Sequence, residues 1–332
     1  MADGPGDPRA PGSLVDTASA PSETRRLLTE WAQAVAEAGA PWSATLLEWA
    51  TASLAEGRFL GRLWVGPKDD AVGLAIGLPA GEIGGRVEVT YLSEGFRGAP
   101  STRAFVARLD APDGFGPLVE IPDPPRGHDP VAFAEAVRPL GFVPVRRVDM
   151  RFPGDRPPPS ARPVEGTRLR TMRAEDVEPV SVLTARAYRD NPVDIALFRR
   201  HVDPMADARA AISMLVGTAL GEWLSSASFV MEDAEGIVGA TIVNDHGGPL
   251  ITEVMVDPRA RGQGHATRLL GATVASLRAA GRPEPRLVVT LSNARARRLY
   301  GHVGFVEDPT TAGARWLHAE RLGLSAADTA SA

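Results

Sequence analysis

The spacing of apolar positions divides this chain of 332 residues into two series of elements, separated by a proline-dense segment. In the first series, residues 24–56 carry apolar side chains at helical spacing. They predict one or two helices, broken at Gly39-Ala40-Pro41. Trp31, Trp42 and Trp49 follow that spacing and are assigned to the core rather than to a cofactor site. Residues 59–65, 72–78 and 86–92 are apolar runs of strand type, 131–140 is an amphipathic helix and 142–152 is strand-rich. The segment Pro153-Gly-Asp-Arg-Pro-Pro-Pro-Ser-Ala-Arg-Pro163 predicts a stiff extended linker. Beyond it, residues 167–172 read as a strand, 173–189 as a helix and 191–220 as further helices. Two apolar runs, 227–232 and 237–243, flank Asp233-Ala-Glu-Gly236 and predict a hairpin. Residues 250–256 form the next strand, 266–280 a helix ended by Gly281-Arg-Pro283, 286–291 a strand and 293–303 a helix. A strand pair near Phe305 and at 314–318 closes the series. Residues 1–22, rich in Gly, Pro, Ala, Ser and Asp, read as a disordered tail, and 323–332 as a second tail.

The candidate chemistry starts at Arg261-Gly262-Gln263-Gly264-His265-Ala266, between the strand 250–256 and its following helix. Free amides at a helix start and the helix dipole favour an anion there, and glycines let a diphosphate approach the backbone. In that helix Ala266, Leu269, Leu270, Val274 and Leu277 share one face, which can pack on a sheet and fix the polar start. A purely steric tight turn would use the same glycines. A dinucleotide fold would want a third glycine where Thr267 stands, and the Gly-Lys-Ser/Thr of a phosphate loop is absent.

The string Val254-Met-Val-Asp-Pro-Arg-Ala-Arg261-Gly-Gln-Gly264-His-Ala266 resembles the acetyl-CoA signature of the GNAT superfamily of N-acetyltransferases. Asn293, Leu299-Tyr300 and Gly304-Phe305 resemble its second signature, and the resemblance covers about residues 167–321. It implies an α/β (α+β) fold of mixed, mostly antiparallel twisted sheets flanked by helices, with a splayed strand pair in the C-terminal copy. It also implies acetyl-CoA as co-substrate. The main chain of Val254, Met255 and Val256 would pair with the pantetheine arm. Gly262, Gln263, Gly264, His265, Ala266 and Thr267, with Arg261 before them, would hold the pyrophosphate. Asn293 would contact the coenzyme and cap the last helix, and Tyr300 would lie near the thioester sulfur.

The reaction has two proton problems. An alkyl amine with a pKa near 10 is only about 0.1% neutral at pH 7, which costs roughly 4 kcal/mol unless a base removes the proton. The leaving thiolate, with a pKa of about 8.5, needs a proton that a tyrosine near 10 can give at a mismatch of about 2 kcal/mol. Tyr300 suits that acid role; a core tyrosine with a satisfied hydroxyl is the plain alternative. Many members of the superfamily carry a glutamate in the strand before Asn293, but Arg286-Leu-Val-Val-Thr-Leu291 has no carboxylate. Glu253 is the best substitute as base and is equally suited to an ion pair with a neighbouring arginine. Asp190 and Asn191 are candidates for the acceptor pocket. His265 reads as a solvent-facing loop residue with no metal role. Arg295, Arg297 and Arg298 fit either the coenzyme's 3′-phosphate or a solvated helix face.

Arg138-Pro-Leu-Gly-Phe142-Val echoes Gly301-His-Val-Gly-Phe305-Val, so the chain reads as two copies of one unit. A helix leaving through Gly-Phe is common enough that the echo alone could be coincidence. Aligning Gly141 with Gly304 puts Pro130 at the place of Asn293 and Val137 at that of Tyr300. The matching loop, Glu94-Gly-Phe-Arg-Gly98, lacks the signature, so the first copy is expected to be silent. The expected divisions are 1–22 tail, 23–152 degenerate domain, 153–165 linker, 166–322 catalytic domain and 323–332 tail.

Composition narrows this further. A net charge of −5 gives no general pull toward nucleic acid. No apolar run has transmembrane length and residues 1–22 lack an apolar signal core, so no membrane partner and a cytoplasmic location are expected. The absence of cysteine excludes thiol nucleophiles, disulfides and cysteine-based metal sites. Lys68 is the sole lysine, so the arginine count reflects composition rather than phosphate binding. The expected acceptor is a small-molecule amine, with a protein amine as the other candidate. A non-catalytic acyl-CoA sensor is the rival from another class, and the missing strand glutamate is its support.

Overall fold

The computed structural model describes residues 12–37, 43–124, 128–160, 162–217, 221–282, 284–326 and 328. The expectations for residues 1–11, Gly39–Pro41, Trp42, Pro283 and 329–332 lie outside that set. The chain forms two compact units, one from residues 1–145 and 314–330, the other chiefly from 146–313. The first holds β1 (Leu14–Asp16), α1 (Pro21–Glu37), α2 (Ser43–Ala55), β2 (Leu60–Val65), β3 (Ala71–Leu78), β4 (Gly85–Leu92), α3 (Ala99–Leu109), β5 (Leu118–Pro122), α4 (Pro130–Val137) and the start of β6 (Phe142–Arg151). The second holds the rest of β6, then β7 (Arg168–Thr171), α5 (Val177–Ala187), α6 (Pro192–Phe198), α7 (Pro204–Val216), β8 (Glu222–Trp223), β9 (Phe229–Asp233) and β10 (Gly236–Asp245). It continues with β11 (Pro249–Val256), α8 (His265–Ala279), β12 (Arg286–Thr290), α9 (Ala294–Val303) and most of β13 (Val306–His318), whose end belongs to the first unit.

Each unit repeats one strand plan. In the first, β2, β3 and β4 are antiparallel, β4 and β5 are parallel, and β5 pairs antiparallel with the end of β13. In the second, β9, β10 and β11 are antiparallel, β11 and β12 are parallel, and β12 pairs antiparallel with the end of β6. Each sheet therefore takes its last strand from a segment remote in sequence. The internal echo has a structural basis: Gly141 and Gly304 both have positive φ (91° and 115°) and end helical segments. Phe142 and Phe305, which follow them, are buried. Only glycine enters that left-handed region without strain.

Three expectations need correction. Residues 12–22 are not a tail: Leu14, Val15 and Asp16 pair with Trp64, Leu63 and Arg62, and Val15 is buried. Two apolar residues are enough for an edge strand but too few to show as a run. The compact units also do not divide at the proline segment, which packs on the second unit. Gly154 donates its N–H to Glu284 (2.6 Å), and Arg278 donates to the carbonyls of Gly154 and Arg156 (3.0 and 2.6 Å). A Cβ on Gly271 of α8 would lie 2.1 Å from the Pro159 carbonyl oxygen, so the proline backbone fits against α8 because that position has no side chain. Finally, the expected closing strand pair is one continuous strand, β13.

The core of the second unit sits on both faces of its sheet. Leu270, Val274 and Leu277 of α8 pack with Val148, Met150, Leu287 and Val289 on one face. Val180 and Leu183 of α5 pack with Ile212, Ala240, Ile242 and Met255 on the other. No described helix is long and apolar enough to cross a membrane.

Candidate active site

The site begins where β11 and β12 part. Their parallel pairing is limited to Leu250 with Arg286 and Ile251 with Leu287, after which the strands diverge. The sheet edge of β11 facing that gap is open beside Val254 and Met255, while the Val256 carbonyl accepts from Arg261 (3.4 Å). A cavity of about 790 Å³ fills the gap. Val254, Met255 and Val256 line it, as do Arg261, Gly262 and Gly264 of the loop, His265, Ala266 and Thr267 of α8, and Asn293 and Tyr300. Gln263 is exposed and does not line it.

The loop geometry suits an anion. Gly262 and Gly264 have φ of 81° and 86°, and a Cβ on either would meet nothing within 4 Å. Gly264 starts α8 without a side-chain cap, and the first amide turned back into the helix is that of Arg268, bonded to the Gly264 carbonyl (3.1 Å). The amides of His265, Ala266 and Thr267 therefore remain for a ligand, with the helix dipole behind them. Arg261 is turned away: it donates to the Ala187 carbonyl (2.6 Å) and lies 3.6 Å from Asp190.

His265 corrects the sequence expectation. It is 2% exposed, not solvent-facing, and its buried Nδ1 has no partner. Burial, with the Arg268 charge behind it, lowers its pKa and keeps the ring neutral. The first helical residue faces the sheet because the left-handed Gly264 turns the chain sharply before it.

Glu253, the expected base, is not among the residues that line the cavity, and a bulge sets the side it faces. Ile242 pairs with Glu253 and Val243 with Ile251, so Thr252 is an extra residue in β11. The bulge reverses the alternation: Ile251 and Val254 face α8, whereas Glu253 and Met255 face α5. Glu253 is 7% exposed and accepts a hydrogen bond from the Tyr188 hydroxyl. Burial pushes its pKa up to about 7, against the lowering effects of Tyr188 and the Arg147 charge. Tyr300 is buried, and burial together with the charges of Glu253 and Asp194 raises its pKa above the ordinary tyrosine value. Tyr188 is raised for the same reasons, burial first and Glu253 next.

Asp194 is the hub that sequence reasoning missed. It is 9% exposed and accepts from Thr290 (2.6 Å), Asn293 (2.8 Å) and Asn191 (2.5 Å). The bond to its amide orients Asn293, whose Oδ1 accepts the Ala296 N–H (3.0 Å) and caps α9. Such a cap contributes about 1 kcal/mol. Asp190 and Asn191 both line the cavity, and so do Tyr188 and Asp194. The only sequence signal for Asp194 was its place in Asn191-Pro-Val-Asp, where Asn191 caps α6. Of the three late arginines, Arg295 lines the cavity, Arg297 is held by Glu307 (2.8 Å) and Arg298 is exposed.

With this geometry in view, the relatives are informative. Residues 225–307 match the family model of the acetyltransferase (GNAT) domain. The fold is similar to a tandem GNAT protein from the clavulanic acid biosynthesis pathway, at 17% identity over 92% of this chain and 97% of that one, with a TM-score of 0.55. It is also similar to a GCN5-related N-acetyltransferase from Sphaerobacter thermophilus, at 20% identity over 77% and 78% of the two chains, with a TM-score of 0.51. No curated protein matches the chain in sequence. The matched segment lies within the second unit, and the division into two units fits the fold of the tandem protein. The matched family uses acetyl-CoA and transfers an acyl group to an amine.

Proposed function

We propose that this protein acetylates the amine of a small molecule by direct attack on acetyl-CoA in the cavity of its second unit, with Glu253 as base and Tyr300 as acid. Glu253 takes the ammonium proton, the neutral amine nitrogen attacks the thioester carbon, and the N–H proton lost from the adduct replaces the one that Tyr300 gives to sulfur. The C–S bond then breaks, and the departing sulfur takes its proton from the Tyr300 hydroxyl. The glycine loop and the first turn of α8 hold the diphosphate, the open edge of β11 holds the pantetheine arm, and Asn293 contacts the coenzyme.

The observation that carries this reading is Glu253, a buried carboxyl raised to about 7, whose charge also acts on Tyr300. A base with a pKa near the working pH combines an adequate ionised fraction with proton affinity. The raised pKa of Tyr300 widens its mismatch with the leaving thiolate, and protonation of Glu253 removes one of the charges that raise it. Glu253 does not itself line the cavity; it stands behind Tyr188, which lines it and donates its hydroxyl proton to Glu253, so the amine proton would reach Glu253 through that hydroxyl. The first unit is non-catalytic in this proposal, since its corresponding cavity is only about 10 Å³.

The test is calorimetric titration with acetyl-CoA, followed by release of free CoA with a panel of amines. The chain has no cysteine, so a thiol reagent reads CoA without protein background. One coenzyme per chain and amine-dependent CoA release are the expected results. Binding without release under any amine would leave a binding module and remove the catalytic assignment.

A further inference from the structure

Arg147 of β6 stands across from Thr290 of β12 and lines the same cavity. Its neighbours Val148 and Met150 pack on the α8 side, so by strand alternation Arg147 faces the other side of the sheet. That is the side from which Asp194 reaches Thr290 and Tyr188 reaches Glu253. The phosphate loop and α8 therefore lie on the opposite face from this guanidinium. Its position does not suit the coenzyme's phosphates; it suits the acceptor.

The groups around Arg147 define a chamber of mixed charge. Asp194 already accepts three hydrogen bonds, and Glu253 accepts one from Tyr188. Asp149, two residues along on the same face, is raised by burial and lowered by Arg286 and Arg147. A cation next to the base opposes the entry of a bare ammonium, which costs affinity for a simple alkyl amine. An acceptor with its own carboxylate removes that opposition, because a guanidinium binds a carboxylate in a fixed two-bond geometry. The amine can then sit against Tyr188, which is hydrogen-bonded to Glu253, while the carboxylate sits on Arg147.

Given the acyl-transfer role proposed above, on which this rests, we infer that the acceptor is a small amino acid-like molecule carrying a free carboxylate beside its amine, and that Arg147 selects it. The reaction is the one already written: N–C bond formed, C–S bond broken, amine proton to Glu253, sulfur proton from Tyr300.

The experiment compares amino acids with their carboxamides and with the corresponding decarboxylated amines, reading CoA release with the intact chain. The wild type is expected to favour the free acids by about tenfold or more in kcat/KM. Arg147→Gln should bring that ratio close to one, chiefly through a higher KM for the acids, and Arg147→Lys should restore part of it. A merely structural role would lower turnover of all three classes together and leave the ratio intact, which would overturn the inference. Equal use of acids and amides by the wild type would overturn it as well while leaving the acyl-transfer role standing. If no class of amine releases CoA, the acyl-transfer role itself falls, and the inference with it.

Discussion

The two units share a strand plan and differ in what stands beside the parallel pair. In the second unit, the gap between β11 and β12 is a cavity of about 790 Å³; in the first, the space beside β4 is about 10 Å³. Phe133 of α4, His128 and Pro124 line what is left, and the Leu92 amide at the end of β4 is taken by His128 (3.3 Å). A buried Arg86–Glu120 ion pair, joined by Arg315, links β4, β5 and the end of β13. The helix starts differ too. Gly98, before α3, has φ of −72°, and Pro100 in the first turn has no N–H to offer. Gly264, before α8, is left-handed at 86° and the residues after it keep their amides. The fold alone therefore does not make a cavity of this kind. A handful of residues at the strand exit and the helix start decide it.

The sharpest way to break this comparison is at the two glycines. Gly264→Val should abolish measurable acetyl-CoA binding by calorimetry, since a branched side chain at φ 86° is strained and would crowd the diphosphate. Gly98→Val should leave binding within about twofold, because a Cβ there meets only Pro100 at 3.9 Å. Next in size is Tyr300→Phe, expected to lower kcat by about 100-fold or more with the acetyl-CoA Kd nearly kept. Unchanged turnover would remove Tyr300 as the acid.

The base comes third. With Glu253 at about 7, kcat/KM should rise with pH through that value as the carboxyl ionises, and Glu253→Gln should lose that limb along with about 10- to 100-fold of rate. The same group gives a linkage. Its folded pKa is above the unfolded value of about 4.5, so its contribution to stability is full below pH 4.5 and lost as pH rises through 7. The loss is roughly 3 kcal/mol at most, and melting of Glu253→Gln between pH 5 and 8 should lack it. The smallest effect on function is expected in the first unit. Phe133→Ala should cost about 3 kcal/mol of stability in denaturant melts, yet coenzyme stoichiometry should stay at one per chain. A second site appearing in that variant would mean that filling alone silenced the first unit.

Much of the site could be read from local sequence. The glycine loop, Asn293 as helix cap and the Gly-Phe exits are short-range signals, each fixed by backbone conformation within a few residues. Strands β2 to β4 and β9 to β12 showed as apolar runs because their side chains meet a core. Between Gly95 and Pro122 the glycines and prolines are so frequent that neither α3 nor β5 stood out by periodicity. His265 was misplaced because a residue after two loop glycines looks exposed, whereas the turn at Gly264 drives it inward.

The sequence by itself determined the order of the elements other than β1, α3 and β5, the phosphate-type loop and the identity of the candidate acid, since these depend on neighbours along the chain. Only the tertiary structure decided that Glu253 faces α5, because a bulge at Thr252 is set by pairing with β10. It alone brought Tyr188 and Asp194 to the opening from helices some 60 to 100 residues away from their partners. It alone assigned the ends of β6 and β13 to the unit on the far side of each boundary, because strand pairing joins segments by hydrogen bonds across space and leaves no mark in the local pattern of apolar and polar residues.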